Sequence, residues 1–154
     1  MRESVLGKRF KLGRRILVTT SIVSAIYSVV VASAPLLGEE GYIGTSYVAL
    51  QASNPRVANI IWHDTVGFGI LLLGVSILGT VLSWKGLVTS PSLAWNSLLL
   101  LGVALLAALL LAHVPIGNTS LTHVGLGVVL LSIYFVGIVL SAKWAFLRWP
   151  KSEA

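Results

Sequence analysis

The sequence predicts an all-α integral membrane protein, a four-transmembrane-helix antiparallel bundle forming a single membrane domain over 1–154. Three observations carry the prediction. The 154 residues are 56% hydrophobic and only 10% charged, whereas a soluble domain of this length carries about 25% charged residues. Four apolar stretches are each long enough to cross a hydrocarbon core about 30 Å thick, which takes roughly 20 helical residues. Together with short connections they use almost the whole chain. The cations, finally, cluster in alternate connections, as Lys and Arg do when they stay on the cytoplasmic side of a membrane.

The first span is predicted over 16–37, behind a basic start. Its opening imitates a signal peptide, with Ala32-Ser33-Ala34 in the place of a cleavage site. The apolar run is too long for a signal core and Pro35 follows at once, so it reads as a retained helix. Ser24, Ser28 and Ala32 recur every four residues and make a ridge of small side chains on which a second helix can approach closely. A long outer loop, 38–56, carries Glu39, Glu40, Tyr42 and Tyr47. It ends in Asn54-Pro55, a capping side chain followed by a proline suited to the first helical position.

The second span is predicted over 56–84 and a short inner loop over 85–90. Ser90-Pro91 repeats the cap-and-proline start for a third span over 91–114, nearly pure Leu and Ala, with Ala104, Ala108 and Ala112 as another small ridge. A tight outer turn precedes the fourth span, 122–149. Trp84, Trp95, Trp144 and Trp149 gather at the inner ends, as interfacial aromatics do. Short connections make successive helices antiparallel neighbours.

The net charge of +6 follows this topology. Arg2, Lys8, Arg9, Lys11, Arg14 and Arg15 precede the first span, Lys85 lies between the second and third, and Lys143, Arg148 and Lys151 accompany the end of the fourth. Only Arg56 falls on the other side. The expectation is a multi-pass protein of the cell (plasma) membrane with both termini cytoplasmic. Its first partner is then the lipid bilayer, anionic lipid included. Nucleic acid is not expected, because aromatic residues are not interleaved with the cations as base-stacking surfaces require. The chain has no cysteine, which excludes disulfides, thiolate metal sites and thioether attachment of haem.

The histidines are the residues most able to carry chemistry. His63 lies about two turns into the second span, His123 opens the fourth and His113 closes the third, all toward the outer side. Ionisable side chains in spans are rare and tend to face the bundle interior. The second and fourth spans run parallel in this topology, so His63 and His123 can share one depth. Each is followed by glycine four residues on, Gly67 and Gly127, and Gly74 continues the His63 face. Glycine one turn away leaves a flat surface beside the imidazole, and paired histidines on facing helices are a recurring way to hold haem iron. Each histidine alone also reads as an interfacial hydrogen-bonding group. His113 is open between a substitute ligand, a propionate partner and a helix end.

Carboxylates are sparse. Asp64 departs about 100° around the helix from His63 and has three readings: orienting His123, bonding the loop, or meeting water at the mouth. Glu39 and Glu40 are candidates for proton handling beside the simpler reading of a solvated loop. Arg56 suits a propionate carboxylate, given its planar fork of donors, or a lipid headgroup. No phosphate loop, Ser/His/Asp set or zinc-binding helix motif is present.

The segments Asn59-Ile-Ile-Trp-His63-Asp-Thr-Val-Gly67 and Thr122-His123-Val-Gly-Leu-Gly127, with the long first and tight second outer loops, resemble one half of the haem A synthase family. That family builds membrane bundles from two four-helix halves, each with a histidine near the outer start of its second and fourth helices. The length matches a compact, single-half form as known among archaea. The resemblance implies a haem-binding oxidoreductase that oxidises the haem O methyl to the formyl of haem A, with haem b as cofactor, haem O as substrate and His63 and His123 as iron ligands. It also implies a second copy of the chain, a haem O synthase or a terminal oxidase as partners.

The sequence departs from the family where a glutamate three residues before the first histidine and an arginine just after it are usual. Ile60 and Asp64 stand there, so a mechanistic carboxylate would have to be Glu39, Glu40 or Asp64. A b-type cytochrome, passing electrons as a subunit of a respiratory complex, fits the histidine pair equally and does not need that glutamate. A cofactor-free structural subunit is the third reading.

Overall fold

The structure is a computed structural model; it describes residues 2–37, 47–113 and 121–147, and their side chains over 7–33, 47–111 and 125–146. Every described element is helical. Helix α1 is Arg2–Leu37, α2 is Tyr47–Ser53 and α3 is Pro55–Val81. A π-turn, Leu82–Gly86, carries α3 into the short α4, Leu87–Thr89; α5 is Pro91–His113 and α6 is Leu121–Leu147. Four of the described helices are long and apolar enough to cross a membrane, over Gly7–Ser33, Pro55–Thr89, Pro91–Leu111 and Gly125–Phe146. Large apolar side chains such as Ile26, Leu71, Leu100, Leu111 and Val139 are exposed along them. Water would not tolerate so much apolar surface; lipid does, and a helix satisfies its own backbone there. The chain is an all-α, multi-pass membrane protein.

Three boundaries differ from the sequence expectation. The first helix starts at Arg2 rather than 16, because the basic segment is itself helical and docks through Phe10 and Gly13. The loop expected over 38–56 contains α2, with Asn54 N–H bonded to Leu50 O at 2.7 Å. The inner loop expected over 85–90 is helical up to Thr89, and only Ser90 breaks the path, at φ −141° and ψ 69°. A proline clashes with a helical residue before it, so Pro91 ends one helix at Ser90 and begins the next. Gly86, inside the continuous helix, serves packing: a methyl group there would lie 2.9 Å from Ala94 Cβ.

The chain divides into two compact units, Met1–Ile22 with Ile77–Ala154, and Val23–Ser76. In the first, four helical segments run up, down, up and down. Gly13 of α1 faces Gly137 of α6 so closely that a methyl on Gly13 would stand 2.8 Å from Gly137 O. Phe10 stacks on Trp144 with ring centroids 5.4 Å apart. On its other side α1 meets the end of α3, where Gly79 lies against Ser21 Oγ. Arg14 reaches further, donating from Nε to Ser83 O at 3.2 Å and from Nη2 to Trp84 O at 2.8 Å. Both carbonyls belong to the π-turn, in which Leu87 N–H bonds Leu82 O, a spacing that loosens the ordinary helical ladder.

Helices α5 and α6 pair antiparallel in the same unit. Tyr134 donates its hydroxyl to Leu98 O at 2.8 Å and Trp95 its indole N–H to Ile138 O at 2.9 Å. Gly102 lets the Tyr134 and Phe135 rings approach. Of the ridge of Ala104, Ala108 and Ala112, the first two are exposed and the side chain of Ala112 lies outside the described residues; the aromatic rings of α6 take the neighbouring Gly102 face. The core is Phe10, Leu17, Leu87, Ala94, Leu98, Tyr134 and Ile138.

In the second unit, the small ridge of α1 does pack. Ser28 is fully buried, and a methyl on Gly69 of α3 would fall 2.7 Å from Ala32 Cβ. Helix α2 lies on α3 through Tyr47 and Trp62, with ring centroids 5.3 Å apart. Ala58 and Thr65 complete the buried face of α3.

Candidate functional site

Helix α3 begins where its sequence says it should. Asn54 Oδ1 accepts the Val57 N–H at 3.2 Å, which satisfies one of the otherwise unpaired amides of a helix start. From that start, Arg56, Asn59, Ile60, His63 and Asp64 follow on one side of the helix. With Pro55 they line an open depression of about 670 Å³.

His63 stands out of this surface, its side chain 88% exposed and that of Asp64 71% exposed. The imidazole Nδ1 lies 3.2 Å from Asp64 Oδ1. A carboxylate can only accept, so Nδ1 carries the proton and donates it. In the neutral ring the lone pair is then on Nε2, directed away from the carboxylate. Asp64 leaves the helix about 100° from His63, but both are exposed and the short Asp side chain can turn back to its neighbour. The sequence reading left Asp64 open between orienting His123, bonding the loop and meeting water; its side chain is exposed, and its Oδ1 also faces the neighbouring His63 ring. The signal was present in the adjacency of the two residues.

Gly67 sits one turn beyond His63, and a methyl placed there would meet nothing within 4 Å; the same holds for Gly74. The helix surface beside the imidazole is therefore open and flat. Gly127 differs. A methyl there would touch the Leu109 side chain at 3.4 Å, because α5 packs antiparallel on α6 at that level. The flat surface expected at both glycines exists at Gly67 and is covered by Leu109 at Gly127.

Ile60, one turn before His63, is 52% exposed and presents an apolar side chain where a carboxylate would stand in the haem A synthase pattern. Arg56 and His63 lie seven residues apart, about 10.5 Å along the axis. The structure thus gathers Arg56, His63, Asp64 and Gly67 on one stretch of α3, and adds Asn59, which the sequence reading passed over. His113 and His123 belong to α5 and α6, but their side chains lie outside the described residues, as do Glu39 and Glu40 altogether. Among the described residues no three His, Cys, Asp or Glu side chains come together to hold a metal ion. What the described residues do present is the exposed His63 imidazole with the Asp64 carboxylate beside its Nδ1.

No family model matches the chain, and no curated protein or solved structure matches it either.

Proposed function

We propose that this protein binds haem b in the membrane and acts as an oxidoreductase of the haem A synthase kind, converting the haem O methyl to a formyl group. The supporting observation is the exposed His63 imidazole, whose Nδ1 lies 3.2 Å from Asp64 Oδ1; with Asp64 as a carboxylate, Nδ1–H donates to it and the lone pair is on Nε2. Histidines that ligate metals regularly donate the other ring N–H to a carboxylate, which fixes the tautomer and raises the basicity of the ligating nitrogen. Gly67 leaves room beside that nitrogen for a flat macrocycle. Arg56 and Asn59, toward the helix start, suit a propionate carboxylate. His123 is the other residue that the resemblance to the haem A synthase family implies would hold the iron.

A bound haem would contribute redox-active iron; the chain contributes a ligand, its orientation and an apolar surround. Methyl to formyl is a four-electron oxidation that takes up one oxygen from water and releases four protons, the electrons leaving to a membrane redox carrier. A single-half form would supply one haem site per chain, so separate cofactor and substrate haems would call for a second copy. A haem O synthase and a terminal oxidase are the partners this reaction implies. The charge pattern, with all cations but Arg56 on one side, supports a plasma-membrane orientation with both termini cytoplasmic.

A b-type cytochrome is the second reading, favoured by the apolar, exposed Ile60 in place of a catalytic carboxylate. The experiment is purification followed by a reduced-minus-oxidised spectrum and analysis of extracted haem, for wild type, His63→Ala and His123→Ala. Bound haem lost in both variants is expected, and haem A on co-expression with a haem O synthase. Haem retention without conversion in a folded sample would leave the cytochrome. An absence of haem in all three would remove both.

A further inference from the structure

The basic segment of α1 is a preformed, docked surface. In the unit of Met1–Ile22 and Ile77–Ala154, Phe10, Gly13 and Leu17 are buried and Arg14 is engaged by the π-turn carbonyls. At 100° per residue, the opposite face carries Lys8, Lys11, Leu12 and Arg15, all exposed. The three cations make a stripe about 10.5 Å long, with Leu12, 52% exposed, among them. Below it the same face continues through exposed Thr19 and Ile22.

Two contacts set the level of this stripe. Phe10 stacks on Trp144, and Arg14 holds the Trp84 carbonyl. Tryptophans at span ends sit among lipid headgroups, so Lys8, Lys11 and Arg15 are at headgroup depth while Thr19 and Ile22 point into the acyl layer. No carboxylate occurs among the described side chains of this unit to compete for the three charges.

We propose that Lys8, Lys11 and Arg15 form a binding site for the phosphate headgroup of an anionic phospholipid, whose acyl chain lies along Leu12, Thr19 and Ile22. The occupant is a lipid rather than a soluble anion because the cations and the exposed apolar strip are continuous on one helix face. Arg14 is excluded from the site, since its guanidinium is already spent on backbone carbonyls. The site is independent of the haem assignment.

The test is native mass spectrometry of the full-length protein in a zwitterionic detergent, titrated with phosphatidylglycerol or phosphatidylcholine. One phosphatidylglycerol should be retained in preference to phosphatidylcholine. A surface cation contributes about fivefold to such binding, so K8Q/K11Q/R15Q should weaken it on the order of 100-fold, whereas K85Q/K143Q should keep it. Equal retention of both lipids, or retention by the triple variant, would overturn the proposal. Equal loss in the K85Q/K143Q control would show diffuse charge rather than a site, and displacement by millimolar inorganic phosphate would show a soluble-anion site. Should the triple variant fail to fold, K11Q and R15Q singly are expected to lose about fivefold each, and unchanged binding in both would refute it.

Discussion

His63 donates its Nδ1 proton to the carboxylate of the next residue, Asp64, across 3.2 Å, and so leaves Nε2 as the free nitrogen of an exposed ring. If that nitrogen binds iron, Asp64 is a positioning residue. Asp64→Asn should reduce haem affinity by about 10- to 100-fold, the range for the loss of a carboxylate behind a ligating histidine. The midpoint potential should also rise, since a less basic imidazole stabilises the oxidised iron less. Haem titration and a redox titration measure the two effects. An unchanged potential together with unchanged affinity would separate Asp64 from the ligand.

Gly67 and Gly69 are two residues apart on α3 and should respond oppositely. Gly67→Leu enters open space and is expected to leave the melting temperature in detergent within a few degrees of wild type while lowering haem occupancy. Gly69→Leu drives a side chain into Ala32, whose atoms already stand 2.7 Å from where a Cβ would be. Overpacking of this kind costs about 1–3 kcal/mol or more, so this variant should melt earlier. Both are read in one thermal unfolding series with a haem spectrum. Equal melting losses in the two variants would refute the open surface at Gly67.

Arg14 spans two carbonyls of the π-turn, and hydrogen bonds from a charged donor are worth about 1.5–3 kcal/mol each. One of the two is exposed, so the lower end of that range applies. Arg14→Ala should lower detergent stability accordingly. Arg14→Lys should recover less than half, because an ammonium lacks the two-pronged geometry. Full recovery with lysine would assign the effect to charge alone.

Ser83 is fully buried and, among the described residues, its hydroxyl has no hydrogen-bond partner. A buried polar group left unpaired costs roughly 1–3 kcal/mol. Ser83→Ala is therefore expected to be neutral or stabilising, unlike most core substitutions. A clear loss of stability in the same melting assay would mean that the hydroxyl is bonded.

Much of this was legible along the chain. Spans, caps and charge asymmetry are local or one-dimensional properties: an apolar run of sufficient length must be a helix in lipid, and Asn54-Pro55 and Ser90-Pro91 mark helix starts by their own stereochemistry. The small ridge at Ser28 and Ala32 was legible for the same reason. The candidate site was legible as residue types, with His63, Gly67 and Arg56 standing out because ionisable groups and flat surfaces are costly or unusual in a span.

What the amino-acid order determined alone, then, is an all-helical chain of four membrane-length spans. Only the tertiary structure decided which partner each group takes. Two glycines with the same offset from a histidine differ because Leu109 of another helix covers Gly127 and, among the described residues, nothing covers Gly67. Ala104 and Ala108 stay exposed while aromatic rings of α6 settle on Gly102. Arg14 becomes a clamp because α3 loosens into a π-turn opposite it. Spacing in a sequence places a residue on a face; which face meets which is set by the side chains of a different helix, far away in the chain.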